Sequence, residues 1–218
     1  LPTLEKMQMF SNWLSSRLTN LTLSSQRIYE NGKTLQKKVK ELGGLFIPAH
    51  IFTPHKSLYG SGVIYSLEEV FDGNLIDAVE LGLSSDTKMA DQITELHRYT
   101  FLTNSDAHSL PKIGREYQRI ILQEPTFLEL KMALAREDGR RIEANYGLNP
   151  YLGKYYETTC EKCSIKPEAD QVKCENCGST RFVKGVSKRL KELASSIENT
   201  NIRPPYIHQV PLQFIPGI

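Results

Sequence analysis

The chain has 218 residues, 39% of them hydrophobic and 24% charged, with a formal net charge of +2. That composition excludes a disordered or membrane class, and no stretch approaches the roughly 20 apolar residues of a spanning helix. So small a charge does not by itself imply nucleic acid, and the length suffices for one good core and a small appendage.

In chain order, "LEKMQMFSNWLSSRL" (4–18) carries apolar residues at helical spacing. "GKTLQKKVKEL" predicts a second helix, stopped by Gly43-Gly44. "LFIPA" reads as a short buried strand, with His50 just past its end. A loop rich in Gly, Ser and Tyr follows, then a brief helix around "SLEEVF".

"IDAVELGL" predicts a strand, and "SSDTKMADQITELHR" has the cap and periodicity of a helix. "YTFLTNSD" and "QRIIL" are further strands, and "PTFLELKMALARE" a further helix. Strands alternating with helices predict an α/β architecture with largely parallel strands. The pattern breaks down over 140–157, where a domain boundary is expected. Beyond it lie the cysteines, a polar helix "VSKRLKELASSIEN" and the Pro-rich "RPPYIHQVP".

Three apolar strands deliver metal-capable groups near their C-terminal ends: His50, Glu80, and Asp106 with His108. Loops at such strand ends converge on one mouth in α/β barrels, and imidazole and carboxylate suit hydrolytic metal centres. Taken singly, each of these residues also fits a capped turn, a core histidine or an outward-facing strand position. His55, Lys56 and Tyr59 follow in a Pro-flanked loop. They read either as ordinary surface residues or as the lining of a substrate mouth that touches phosphate. His97 and His208 receive no catalytic role.

All four cysteines lie between residues 160 and 177. Cys160-x2-Cys163 and Cys174-x2-Cys177 read as four thiolates around a structural zinc, with disulfides as the alternative. Two tight pairs point to a reducing compartment, and a cytoplasmic location is expected. Arg181, Lys184, Lys188, Arg189 and Lys191 follow. They read as a solvated helix face or as contacts to the DNA backbone.

"GGLFIPAH", "VELGLSSD" and "LTNSDAH" resemble the later motifs of the PHP superfamily. "FIPAHIFTPHKSLYGS", "NSDAHS" and "GLNPYLGKYYETTCEKC" narrow the resemblance to its endonuclease Q branch, over nearly the whole chain. The fold implied is the C-terminal part of a distorted (β/α)7 barrel, then a small four-cysteine zinc-binding subdomain and a helical tail. The boundaries expected are 1–146, 147–184 and 185–218, the last leading into a further domain. The resemblance implies His50, Glu80, Asp106 and His108 as ligands of a barrel centre holding Zn, Mn or Mg. Asp106 and His108 would be catalytic, and His55 is placed with them.

The activity implied is metal-dependent hydrolysis of DNA on the 5′ side of hypoxanthine, uracil, xanthine or an abasic site. The partner is then DNA containing deaminated bases, with no membrane. A small-molecule phosphoesterase or a non-enzymatic zinc-ribbon module that binds nucleic acid are the alternatives. The superfamily opens with a His-x-His motif, and none occurs among the five histidines here. With Leu1 at the start and "PLQFIPGI" at the end, resembling the start of a helix-hairpin-helix, a fragment of a longer protein is expected.

Overall fold

In the computed structural model, residues 1–23, 26–168, 171–195 and 202–210 are described. The expected helix-hairpin-helix start, at 211–218, lies outside them, as does the end of the polar helix beyond 195.

Helix α1 (Leu4–Ser15) starts at Thr3, whose side chain accepts the Lys6 N–H; α2 (Gly32–Glu41) starts at Asn31 in the same way. Strand β1 (Ala78–Glu80) pairs in parallel with β2 (Thr100–Leu102). Segment 45–51 runs beside β1, with the Asp77 and Glu80 N–H groups donating to the Phe46 and Pro48 carbonyls. The expected strand "LFIPA" is therefore extended, but it is not a full ladder strand. Pro48 has no N–H to give.

Both faces of this layer are covered, as expected for parallel strands. Val79 and Phe101 join a core of Ile51, Phe52, Tyr59, Leu67, Leu81 and Leu96. Ala78 and Leu102 pack on the other side against Leu134 and Ile142. Ala78 and Leu134 come from β1 and from helix α4 (Phe127–Ala135), so this smaller core joins strand to helix.

Strand β3 (Tyr117–Ile121) pairs antiparallel with β4 (Arg141–Gly147). This departs from the largely parallel expectation. No closed barrel forms among the described residues, which hold three small sheets instead. Strand β7 (Tyr206–His208), from the Pro-rich segment, adds in parallel to β4.

The long helix expected over 84–98 is replaced by a short α3 (Thr87–Ala90) and a 3₁₀ turn at Thr94–Leu96. "SLEEVF" likewise forms only a 3₁₀ turn, at Leu67–Glu69. An antiparallel pair, β5 (Thr159–Cys160) with β6 (Phe182–Val183), frames the cysteines. Helix α5 (Val186–Leu193) then returns to the main core through Val186 and Leu190. No helix among the described residues is long and apolar enough to cross a membrane.

Candidate functional site

The C-terminal ends of segment 45–51, β1 and β2 carry the residues singled out above. Glu80 is 5% exposed. Its Oε2 accepts the His50 N–H at 2.6 Å, and its Oε1 accepts the Gly82 and Asn104 N–H groups at 2.9 and 3.1 Å. His50 (φ 36°) and Asp106 (φ 44°) both sit in the left-handed region, as does His55 (φ 72°). Non-glycine residues held there concentrate at functional sites.

Asp106 and His108 share an exposed loop. His108 Nδ1 donates to the Asp106 carbonyl at 2.8 Å and lies 3.8 Å from its carboxylate. That bond fixes the ring and leaves Nε2 as the nitrogen available to a metal.

The four expected barrel ligands do not gather into one cluster. Among the described residues, only the cysteines bring three or more metal-capable side chains together. Glu80 is turned to the backbone, while the loop bearing Asp106 and His108 stands in solvent. The donor types still suit a hydrolytic ion, as part of a larger set.

His55 and Lys56 are exposed, as a substrate mouth requires. Tyr59 corrects the expectation of a phosphate contact. It is 0% exposed, stacks on Phe52 and donates its hydroxyl to Glu95 at 2.8 Å. Burial and the Glu95 carboxylate push its phenol far above the ordinary range.

The basic stretch divides in the same way. Arg181, Lys188 and Lys191 are exposed, and Lys184 pairs with Glu192 at 2.7 Å. Arg189 is instead spent on the protein itself. It donates to the Tyr59, Val63 and Ile64 carbonyls and pairs with Glu192.

The cysteine site is built from two turns. The Ser164 and Gly178 N–H groups donate to the Cys160 and Cys174 carbonyls, and both residues adopt positive φ, 58° and 71°. Cys160–Cys177 and Cys163–Cys174 sulfurs stand 3.5 Å apart, and all four lie within 4.8 Å of one another. A disulfide would bring two sulfurs to about 2.05 Å. Tetrahedral zinc at about 2.3 Å from each sulfur needs edges near 3.8 Å. Four free thiols in this arrangement fit zinc. The Cys163 N–H pulls the Cys160 thiol down to about 6, while burial and the neighbouring thiols push Cys177 up, so the first thiolate forms at Cys160.

Two further features left no signal in the sequence. Glu116 is 2% exposed; one oxygen accepts the Leu148 N–H at 3.0 Å and the other has no partner among the described residues. Burial, helped by the nearby Glu80 charge, pushes its carboxyl up to about 8. Beside the end of β1 lies a cleft of about 600 Å³, with Leu83, Ser84, Leu148, Tyr155, Tyr156 and His208 among its walls.

An α/β chain with a four-thiol site and metal-capable strand ends is the class this geometry defines. Two solved structures share its fold at 36% sequence identity. One is the lesion-specific endonuclease PfuEndoQ from Pyrococcus furiosus, with a TM-score of 0.84 over 96% of this chain and 54% of that one. The other is endonuclease Q in complex with a 27-mer duplex bearing an abasic lesion at the active site. Its TM-score is 0.88, over 97% of this chain and 55% of that one.

The chain is thus endonuclease Q-like in sequence and in fold. It is also 61% identical over all 218 residues to the uncharacterized protein YqxK of Bacillus subtilis, covering 56% of it. Uncharacterized protein MJ0043 of Methanocaldococcus jannaschii is 41% identical over 176 residues, 21% of its own length. The chain therefore spans about half or less of these relatives. No family model matches it.

Proposed function

We propose that this chain is part of a metal-dependent DNA repair endonuclease that nicks on the 5′ side of a deaminated base or an abasic site. The observation that carries the reading is the match, over 97% of the chain, to an endonuclease Q solved on lesion-bearing duplex.

His50, Asp106 and His108 would hold part of a Zn, Mn or Mg centre, completed by residues outside these 218. Bound metal supplies an activated water and charge neutralisation at the phosphate. The chain's own residues do the rest. Asp106 contributes negative charge at the ligand cluster, and the fixed His108 ring presents Nε2. His55 and Lys56, exposed on the loop beyond His50, suit the non-bridging phosphate oxygens. Extrusion is easiest for a poorly paired base, and a cleft walled by Tyr155 and Tyr156 offers the aromatic surface a flipped base requires.

The four-thiol zinc site stiffens the 159–183 hairpin, which positions Arg181 for the duplex backbone. A small-molecule ester would need neither.

The test uses the full-length protein with Mn²⁺, Mg²⁺ or Zn²⁺. Duplexes carrying hypoxanthine, uracil, xanthine or an abasic site are offered beside undamaged DNA and a histidinol-phosphate-type ester. Nicking of lesion duplex alone, mapped to the 5′ side, is expected. Hydrolysis of the small ester with no nicking would overturn the reading.

A further inference from the structure

We infer that Glu80 is a positioning residue: its carboxylate clamps the backbone of three strand ends, two of them ligand-bearing, rather than binding metal itself. The inference rests on the metal-centre reading above for what the clamp is for, but not for its existence.

The three N–H groups that Glu80 receives belong to different strand ends. One is that of His50, a candidate ligand, at 2.6 Å. A second is that of Gly82, in the turn after β1, at 2.9 Å. The third is that of Asn104, two residues before Asp106, at 3.1 Å. A carboxylate has about four acceptor positions, so three are occupied by protein. Donors to a buried ionised group form the stronger kind of hydrogen bond. One position is left for a metal, and a closer, bidentate approach would displace the donors, including the buried Gly82 N–H.

His50 shows what the clamp accomplishes. Its backbone is left-handed, at φ 36°, a strained conformation for a histidine. Two neighbours hold it there. One is the Glu80 oxygen on its N–H. The other is Gly82, itself at φ 66°, where an added Cβ would lie 2.6 Å from His50 Cβ and 2.9 Å from its Cα. The absence of a side chain at 82 is therefore required by His50 as well as by the turn. Together they fix the direction in which the His50 side chain leaves the chain. Through Asn104 the same carboxylate anchors the start of the Asp106–His108 loop, which is otherwise exposed.

The test reads amide hydrogen exchange at His50, Gly82 and Asn104 in the full-length protein, with and without Zn²⁺. Protection in wild type should persist or rise when Zn²⁺ is added. If Glu80 instead swings to the ion, protection at these amides falls on metal addition, and the inference is wrong. In metal-free Glu80→Gln, one N–H faces an amide donor, and exchange at the clamped amides should speed up roughly tenfold or more, about the loss of one charged hydrogen bond. Unchanged exchange there would also overturn the inference.

Gly82→Ala keeps the Glu80 carboxylate and instead crowds His50. It should lower kcat for nicking with little change in KM for DNA, and excess metal should not restore it; normal turnover by this variant counts against the clamp. A wild type that nicks no DNA refutes the proposed function while leaving the exchange results to decide Glu80.

Discussion

Arg189→Ala tests most sharply whether this basic residue holds the protein together or meets DNA. The Arg189 side chain is 13% exposed. Nε donates to the Tyr59 carbonyl at 2.7 Å, and Nη2 to the Val63 and Ile64 carbonyls at 2.9 and 2.7 Å. These carbonyls belong to the π-helical turn Leu58–Gly62 and the two residues after it.

Alanine leaves all three without that donor. Ile64 is 65% exposed, so water can replace the bond there. Tyr59 and Val63 are buried, and an unsatisfied buried group costs about 1–3 kcal/mol. The sum is about 2–6 kcal/mol, a fall in Tm on the order of 5–25 °C for a domain of this size. Lys188→Ala, on an exposed neighbour, should stay within about 0.5 kcal/mol of wild type.

Thermal and urea denaturation of both variants measure this, alongside DNA titrations at two ionic strengths. Lys188→Ala should flatten the salt dependence by roughly one counterion equivalent. The reasoning fails if Arg189→Ala melts with wild type and instead loses the salt slope. The sequence treats the two as one basic pair, whereas the structure leaves Lys188 exposed and bonds Arg189 to the protein itself.

Asp106→Asn keeps a residue that tolerates the left-handed backbone but removes the charge. Nicking by the full-length enzyme should drop at least roughly a hundredfold with Tm nearly unchanged, and near-normal turnover at saturating metal would contradict the assignment. Elemental analysis should find one structural zinc held by Cys160, Cys163, Cys174 and Cys177. Cys174→Ser should lose it and speed amide exchange across 159–183, whereas disulfides in a reduced preparation would refute the site.

For Glu116, the folded-state pKa of about 8 lies above the ordinary 4.5. The native state therefore holds the extra proton, and the stability it contributes is full below about pH 4.5 and lost as pH rises toward 8. Glu116→Gln, always neutral, should gain on wild type steadily from pH 5 to 8 in urea midpoints of the metal-free protein. A constant difference across that range would refute the raised pKa.

Features that depend on a few neighbouring residues were legible in the sequence. Gly43 ends α2 as expected, and Asn31 caps its start, because caps and stops act within one turn. The two C-x2-C pairs gather because each knuckle is closed by its own backbone bonds. Where the expectation failed, the deciding partner lay far along the chain. The helix sought over 84–98 breaks up where distant groups take its carbonyls. Ser195 donates its N–H to Gln92, and Arg203 donates to Leu96 and His97. Local propensity cannot anticipate such partners.

The candidate site repeats the lesson at the level of single polar atoms. A motif identifies a carboxylate, a phenol or a guanidinium, but not whether its hydrogen-bonding capacity is already committed. Glu80, Tyr59 and Arg189 all have the right chemistry for metal or phosphate, and each commits part of it to a partner far along the chain: the His50 N–H, the Glu95 carboxylate and the Tyr59 carbonyl. Asp106, His108, His55 and Lys56 remain exposed and turned to solvent. Those exposed side chains are the ones left to meet a metal or a phosphate, and the committed ones hold the loops that present them.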